Sequence, residues 1–299
     1  MMTTGCAKSL LGSNRQQFYK QGDHPMSVQE EFTYELREGV GIITLNRPKQ
    51  MNAITWDLSG AVAALLRELR TNDEVRVVLL TGAGGNFCSG GDAAFLAGND
   101  DARPIPGLSD QPLERYQRKT PAGNFAEMTR WIVDVDKPVI AAVEGVCMGA
   151  GLAYALACDR RFGSKSVRMS AAMVRLGFGP DCGITWFLPR VARLPTALRM
   201  VTTGDILKAE ECHREGLIDE LVEEGEAFDA AFAYAKKLAE GPSVAVDLAR
   251  HFIYKSLTST AEEMYDYEGV AAVMSALTED AREGTQSFLE KRRPKYKGR

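Results

Sequence analysis

Two glycine-rich turns carry the residue types and spacing best suited to chemistry, and the first of them follows an apolar run at 139–143. Gly145 and the small residues 149–151 form this turn, and good helix formers follow at 152–157. A helix start leaves backbone N–H groups without partners at the positive end of the helix dipole. Such a place suits an anion, or an oxygen that becomes negative during a reaction. The alternative interpretation is close packing of a helix against a strand.

The second turn has the same organisation. A continuous apolar run, VRVVLLT at 75–81, leads into a glycine-rich turn at 82–86 and then through FCSGGD at 87–92 into a predicted short helix ending at Phe95. No Gly-Lys-Ser/Thr follows, so this turn is not a phosphate-binding P-loop. The glycines also fall at the wrong offsets for a dinucleotide fingerprint, and no βαβ unit with a ribose-binding acid follows.

Composition places the chain among globular proteins and excludes several partners. It has 299 residues, of which 45% are hydrophobic and 25% charged, with a net charge of −4. There is no basic excess for nucleic acid or for an acidic membrane surface, and no run approaches the ~18 apolar residues that span a bilayer. Residues 1–28 are polar and read as a loose tail, with Met26 as an alternative start. We expect a cytoplasmic protein.

Cysteine and histidine usage argues against metal chemistry. The six cysteines show no CxxC spacing and are expected to be reduced core residues. The three histidines, His24, His213 and His251, lie far apart in sequence and away from any carboxylate cluster. We therefore expect no histidine-based metal site and no Ser-His-Asp triad.

Hydrophobic periodicity predicts the elements that must position the turns. Short β-branched runs at 31–37 and 40–46 indicate a hairpin. Helical spacing begins at Thr55 and returns at 124–135, and residues 160–169 are predicted to form one strand. A third small-residue turn at 177–183 then leads into a helix predicted at 184–191, with Asp181 near its N-terminus.

The remaining segments suggest a surface loop and a helical end. Residues 98–120 are polar, contain three prolines and are typical of a substrate lid. From Pro195 onward the pattern is helical throughout, at 195–203, 208–213, 227–239, 243–256, 260–276 and 279–289. We therefore divide the chain into an N-terminal extension at 1–28, a core at 29–205 and a helical region at 206–299 that packs against a neighbouring subunit.

Several motifs in a fixed order resemble those of one enzyme superfamily. They are GVGIITLNRPKQMNAI (39–54), TGAGGNFCSGGD (81–92), KPVIAAVEGVCMGAGLAYALACD (137–159) and PDCGITWFLPRV (180–191), with TGD (203–205) and EGTQSFLEKRRPKY (283–296) in agreement. Over about residues 30–299 the chain resembles the crotonase, or enoyl-CoA hydratase/isomerase, superfamily. The resemblance implies an α/β fold, a spiral of β-β-α repeats with two nearly perpendicular sheets and a C-terminal helical region. It also implies a trimer or a dimer of trimers.

The resemblance implies thioester chemistry on an acyl-CoA substrate. The substrate carbonyl would sit in an oxyanion hole formed by the backbone N–H groups of Gly91 and Ala150, with each donor contributing roughly 3–4 kcal/mol. Coenzyme A is then part of the substrate, and no separate cofactor is expected. We expect no nucleic acid and no membrane as a partner.

The acid–base residues depart from the hydratase pattern of this superfamily. The two glutamates of hydratases fall on Ala153 and Met173, neither of which can activate water. Asp181 remains, and in isomerase branches an aspartate at this place moves protons along the acyl chain. Its alternative role is the N-cap of a helix that begins at Cys182. The pattern most resembles the ring-1,2-epoxyphenylacetyl-CoA isomerase type.

Two further sets of residues follow from position in the family. The expected CoA contacts are Gln50, Met51, Gly90, Asp92, Ala93 and Ala94, with Phe288 and Lys291 reaching a neighbour's CoA. The expected substrate pocket contains Met148, Ala153, Met173, Phe178 and Trp186. Asp92 has the alternative of capping a helix or holding its loop, and Lys291 that of a solvated side chain.

The sequence favours an acyl-CoA isomerase over two alternatives. One is an enoyl-CoA hydratase in which Asp181 and a further carboxylate replace the glutamates. The other, from a different class, is a CoA-binding pseudoenzyme that serves as a partner in a larger complex.

Overall fold

The computed structural model of the protein describes residues 30–93 and 125–299. The predicted tail at 1–28, the predicted lid at 98–120 and the predicted CoA contact Ala94 lie outside the described residues. The same holds for most of the short helix expected to end at Phe95.

The described residues form a mixed α/β structure with two sheets. The strands are β1 (Phe32–Arg37), β2 (Val40–Leu45), β3 (Val77–Gly82), β4 (Val139–Val143), β5 (Val146–Met148), β6 (Arg160–Ser164), β7 (Arg168–Ser170), β8 (Leu207–Lys208) and β9 (Glu220–Val222). The larger sheet has the order β1-β2-β3-β4-β6-β9 and the smaller one β5-β7-β8. The β1–β2 pair is antiparallel, whereas the other neighbours in the larger sheet are parallel.

The described residues form ten α-helices, several of which follow a strand in the chain. They are α1 (Trp56–Leu69), α2 (Phe125–Asp134), α3 (Ala150–Ala157), α4 (Ile184–Val191), α5 (Leu194–Thr203), α6 (Ala209–Arg214), α7 (Ala227–Ala239), α8 (Ser243–Ser256), α9 (Ala261–Ala276) and α10 (Glu279–Leu289). The Thr55 side chain caps α1, and Thr260 forms a capping box with Glu263 at the start of α9.

The order of strands and helices along the chain forms a repeating β-β-α unit. The order β1-β2-α1, then β4-β5-α3, then β6-β7-α4 is a spiral of such units. Strands β3 and β4 are buried along nearly their whole length because α1, α2 and α3 cover one face of the sheet and α7 the other. The C-terminal ends of these parallel strands therefore deliver both glycine-rich turns to one edge.

Two sequence predictions about strands are wrong. The segment 160–169 is two strands, β6 and β7, which belong to different sheets. A tight turn separates them, in which Val167 N–H donates to the Ser164 carbonyl at 3.1 Å. The second strand, β7, pairs with β5, a three-residue strand inside what the sequence suggested was only a turn. Runs of three residues are too short to show the alternation that identifies a strand.

The region after Pro195 is also not helical throughout. Strand β8 joins the smaller sheet beside β7, and β9 joins the larger sheet beside β6. Helix α7 packs its alanine stripe on the larger sheet, with Ala227, Ala231 and Ala235 fully buried. Residues 207–239 thus lie in or against the sheets, whereas α8 has no buried residue.

Polar contacts attach α8 to the rest of the chain. The Arg250 guanidinium pairs with Asp159 at 2.7 Å and donates to the Val133 carbonyl at 2.9 Å. Tyr254 donates to the same carboxylate at 2.7 Å. Asp159 also accepts from the Val139 N–H at 2.7 Å, so it joins α8 to the start of β4. Asp159 therefore has a structural role.

Candidate active site

The two glycine-rich turns lie directly against each other. Cys88 donates its N–H to the Val146 carbonyl at 3.0 Å and accepts from the Met148 N–H at 2.9 Å. This is a short parallel bridge between Cys88 and Cys147. Gly151 has to be glycine here, because a Cβ on it would lie 2.4 Å from the Cys88 carbonyl oxygen. The two turns predicted separately from sequence are therefore one continuous piece of structure.

Backbone hydrogen bonds on either side of Gly91 leave its N–H available. Ile54 donates to the Gly90 carbonyl at 2.8 Å and accepts from the Asp92 N–H at 2.9 Å. Because a trans peptide is planar, the Gly91 N–H points opposite to the Gly90 carbonyl and so away from Ile54. It has no hydrogen-bond partner among the described residues.

The Ala150 N–H is the second available donor. Ala150 is the first residue of α3, so its N–H has no acceptor within the helix, and it finds none elsewhere in residues 30–93 and 125–299. The neighbouring Gly149 N–H is occupied by the Ser170 carbonyl at 3.0 Å. Gly90 has a φ of +100°, and a Cβ there would lie 3.6 Å from the Ala150 nitrogen. The unbonded donors thus belong to touching turns, an arrangement suited to an oxygen that gains negative charge.

A buried asparagine that the sequence analysis did not single out braces the second turn. Asn52 is fully buried and donates to the carbonyls of Ala83 at 2.9 Å and Asn86 at 2.7 Å. Its side-chain oxygen accepts from the Arg47 N–H at 2.9 Å. The sequence signal that could have identified it is an Asn at the end of the turn that contains Arg47 and Pro48. Asn52 has a φ of +56°, which Asn tolerates better than most residues.

Asp92 has the loop-holding role that was one of its predicted alternatives. Its carboxylate pairs with Arg47 at 2.8 Å, and both side chains are largely buried. Arg47 also donates to the Ala53 carbonyl at 2.6 Å and pairs with Glu31 at 3.2 Å. The ion pair therefore ties the residue after Gly91 to the turn that follows β2.

Asp181 does not cap the helix that follows it. Helix α4 begins at Ile184 with Gly183 at the N-cap, and no side chain caps it. The alternative of an N-cap for a helix beginning at Cys182 is therefore wrong. The main chain of Asp181 accepts from the Ile184 N–H at 3.0 Å, which leaves the carboxylate free of the helix end.

The surroundings of Asp181 favour its neutral form. Although the residue as a whole is exposed, desolvation of the carboxyl by surrounding protein atoms raises the pKa of Asp181 above its ordinary value, while a hydrogen bond from the Cys182 thiol opposes this shift. The Cys182 side chain is buried and its backbone has a φ of +53°, an uncommon conformation for a residue other than glycine. The Asp181 charge and the Cys88 thiol both contribute to raising the pKa of buried Tyr154, after the larger effect of burial. Asp181 thus lies within electrostatic reach of Tyr154 in α3.

The two positions at which a hydratase would carry glutamate are apolar in the folded chain as well. Ala153 is fully buried in α3, one turn after Ala150, and Met173 packs partly buried against the same core. Helix α3 packs against α4, which begins three residues after Asp181. The described residues therefore offer two unbonded backbone donors, and Asp181 stays the candidate acid–base carboxylate.

Comparison with known proteins identifies the family. A family model described as enoyl-CoA hydratase/isomerase matches residues 35–299. The chain is 34% identical to the 1,2-epoxyphenylacetyl-CoA isomerase of Escherichia coli K12, covering 91% of this chain and 100% of that protein. It is 31% identical to the short-chain-enoyl-CoA hydratase of Clostridium acetobutylicum, covering 86% and 94%. The chain belongs to the enoyl-CoA hydratase/isomerase family.

Solved structures confirm the fold of this family. The enoyl-CoA hydratase of Bacillus anthracis superposes with a TM-score of 0.80 at 28% identity, covering 90% of this chain and all of that one. The crotonase-like spiral expected from the sequence is therefore confirmed. Relatives of similar identity carry isomerase and hydratase names, so membership of the family alone does not select the reaction.

The remaining predicted pocket residues of this family member lie around the third turn and the first. Met148 is half-buried beside the first turn, while Phe178 and Trp186 are 39% and 37% exposed. The Arg190 guanidinium covers the Trp186 ring at 4.0 Å from its centroid. These residues present partly exposed apolar surface, and their contact with an acyl group stays a prediction.

The predicted CoA contacts fall into two groups. Gln50 and Met51 are exposed on the turn that receives Ser89, whose N–H donates to the Met51 carbonyl at 2.9 Å. Gly90, Asp92 and Ala93 lie on the second turn itself. The hydrogen bond from Ser89 to Met51 places Gln50 and Met51 beside the second turn. Contact of these residues with CoA stays a prediction.

The two C-terminal contacts are at the end of the chain. Phe288 is 82% exposed near the end of α10, and Lys291 lies exposed just beyond it. Their role at a neighbour's CoA concerns a second subunit and stays a prediction.

Residues 30–93 and 125–299 contain neither a candidate metal cluster nor a candidate membrane-spanning helix. Within these ranges no group of three or more His, Cys, Asp or Glu side chains is arranged to hold a metal ion. Within them, too, no helix has the length and apolar character needed to cross a membrane.

Proposed function

We propose that the protein is an acyl-CoA isomerase that moves a double bond, or opens a ring epoxide, through an enolate. The observation that carries the proposal is the pair of unbonded N–H donors, on Gly91 and Ala150, in two touching turns. Asp181, which precedes the helix that packs on α3, is the proposed acid–base carboxylate. Apolar residues at Ala153 and Met173 support it, because hydration requires a group that activates water.

The proposed reaction combines the two backbone donors with one carboxylate that acts first as base and then as acid. The thioester carbonyl accepts hydrogen bonds from the Gly91 and Ala150 N–H groups, which lowers the energy of the enolate. Asp181 removes a proton from one carbon of the acyl chain and returns it to another. One carboxylate suffices because the base becomes the acid once it has taken up the proton. The raised pKa of Asp181 brings the amounts of its ionised and protonated forms closer to each other near neutral pH. For an epoxide substrate, the same polarised carbonyl assists ring expansion. Coenzyme A enters as part of the substrate.

The purified protein tests this proposal with 2-enoyl-CoA and 3-enoyl-CoA. We expect double-bond migration without a change in the mass of the thioester. Liquid chromatography with mass spectrometry measures it. Asp181→Asn should lower its kcat by at least about a hundredfold, since general acid–base catalysis contributes 10²–10⁴. The matched control is Asp229→Asn, at an exposed position in the first turn of α7, which should keep the wild-type rate.

Two outcomes would favour the alternatives instead. Gain of one water, giving 3-hydroxyacyl-CoA, would show a hydratase that uses Asp181 with another carboxylate. Binding of CoA without turnover of any thioester would show a pseudoenzyme. Retention of the full isomerase rate by Asp181→Asn would contradict the mechanism even if the reaction itself were observed.

A further inference from the structure

Cys88 makes hydrogen bonds to both donor turns, and the proposed mechanism does not use it. The main chain of Cys88 makes the bridge to residues 146–148. Its Sγ accepts a hydrogen bond from the Gly90 N–H at 3.4 Å. Its side chain also faces the start of α3, because a Cβ on Gly151 would lie 2.7 Å from the Cys88 Cβ and 2.9 Å from its Sγ.

We propose that the Cys88 thiol is a positioning residue that fixes the Gly90 peptide and thereby aims the Gly91 N–H at the substrate oxygen. The inference rests on the proposed function only in assuming that the Gly91 N–H stabilises an enolate. Cys88 does not touch the substrate in this role and acts through the backbone of the turn.

The conformation of Gly90 explains why such an anchor is needed. Gly90 has a φ of +100°, in a region that glycine enters freely and leaves freely, because no side chain restricts it. Two hydrogen bonds hold it, one from its N–H to the Cys88 sulphur and one to its carbonyl from Ile54. Without the sulphur, the Gly90 N–H has no other acceptor among the described residues, and only the Ile54 bond remains to set the direction of the next N–H.

The chemistry of the thiol suits a fixed acceptor and not a nucleophile. Cys88 is fully buried, and burial raises the pKa of its thiol to about 12. It therefore stays protonated and uncharged at neutral pH, and only a thiolate is a good nucleophile. A neutral sulphur accepts a hydrogen bond weakly without adding a negative charge beside an enolate.

Substitutions at Cys88 test the inference against a matched buried cysteine. Cys88→Ala removes the acceptor, Cys88→Ser keeps one, and Cys212→Ala removes a fully buried thiol that faces the Leu207 carbonyl instead of the turns. If C88A fails to fold, Cys88→Val replaces it, because valine fills the volume without providing an acceptor. Two readouts apply: kcat and KM for the thioester reaction, and the ionisation of bound acetoacetyl-CoA to its enolate, followed by ultraviolet absorbance against pH.

We expect a selective loss of enolate stabilisation. C88A should lower kcat about tenfold with KM within about twofold, as loss of one oriented hydrogen bond predicts. It should also raise the pH at which bound acetoacetyl-CoA ionises. C88S should recover most of both values, and C212A should match the wild type in both.

The inference is overturned if C88A, or C88V in its place, behaves like C212A in both readouts. It is also overturned if the wild type leaves the ionisation of acetoacetyl-CoA unchanged, because there would then be no oxyanion site for Cys88 to position. A wild type that stabilises the enolate but moves no double bond would contradict the isomerase proposal alone, and the enolate titration would still decide the role of Cys88.

Discussion

The proposed mechanism requires Asp181 to hold a proton and release it again within one turnover, which places limits on its pKa. A carboxyl with an ordinary pKa is a poor acid at neutral pH, whereas one in a strongly apolar pocket is a poor base. Desolvation of the carboxyl by surrounding protein atoms raises the pKa of Asp181, and the Cys182 thiol restrains the shift. The uncommon backbone conformation of Cys182 is consistent with a side chain that is held in place for this contact.

This balance predicts the pH dependence of the reaction. The base form of Asp181 is needed in the free enzyme, so kcat/KM should fall as pH drops through the pKa of Asp181. Because that pKa is raised, the fall should occur at higher pH than for an unperturbed aspartate. The measurement is a kcat/KM profile for a 3-enoyl-CoA, and the expected result is one acid limb with a slope of one.

Cys182→Ala provides the matched comparison for this profile. It removes the hydrogen bond that lowers the pKa of Asp181, so the acid limb should move to still higher pH, and Cys182→Ser should move it back. An acid limb at or below the pH of an ordinary aspartate, or one that stays in place in C182A, would contradict this account of Asp181.

The sequence could select candidate site residues where a local turn marks them. Gly91, Ala150 and Asp181 lie in recognisable turns, so spacing and family resemblance were enough to select them. Asn52 and Cys88 act through partners that are remote in sequence: Asn52 contacts carbonyls 31 and 34 residues away, and Cys88 pairs with strand β5. Such contacts exist only once the chain has folded, and no local pattern shows them.

At the scale of elements, the long strands and helices were predictable because their burial is periodic. The hairpin β1–β2, strand β4 and helices α1, α4 and α7 to α10 lie where hydrophobic spacing placed them. The short strands β5, β7, β8 and β9, each of two or three residues, were missed or merged. Their formation depends on pairing with distant partners and not on their own sequence, so the smaller sheet was invisible in the pattern.

The turn between β2 and α1 acts as a separate brace for the site, which gives a prediction for Asn52. Asn52→Ala removes three buried hydrogen bonds and should cost about 3 kcal/mol of unfolding free energy, at about 1 kcal/mol each. It should also lower kcat, because the second turn loses its support. Urea unfolding and the thioester assay measure the two effects.

The control for this brace is Asn46→Ala in the same region. Asn46 is exposed and its side chain makes one contact, to the Glu30 carbonyl at 3.1 Å. We expect a change below about 1 kcal/mol for an exposed side chain of this kind. Equal destabilisation by the two substitutions would show that Asn52 does not brace the turn.

At the scale of the whole molecule, the C-terminal helices leave a large apolar surface uncovered within one chain. Helix α9 has a polar and an apolar side that are poorly separated, and only Met264 and Ala271 are buried in it. Large exposed apolar side chains on α9, at its C-terminal end and on α10 are Tyr265, Tyr267, Val270, Val273, Met274, Leu277, Phe288 and Leu289. An apolar surface of this extent is typical of a face that another protein covers.

We expect a second copy of the chain to cover this face, in the trimer or dimer of trimers that the family resemblance implies. Light scattering after size exclusion should give three or six times the mass of 32.7 kDa. Val273→Asp together with Leu277→Asp should shift the protein toward smaller species, because each places a charge in an apolar contact without a partner. Leu194→Asp, at a comparably exposed leucine on α5, is the control and should leave the mass unchanged. A wild type with the mass of one chain, or a double variant that assembles as the wild type does, would show that α9 and α10 do not form the subunit interface.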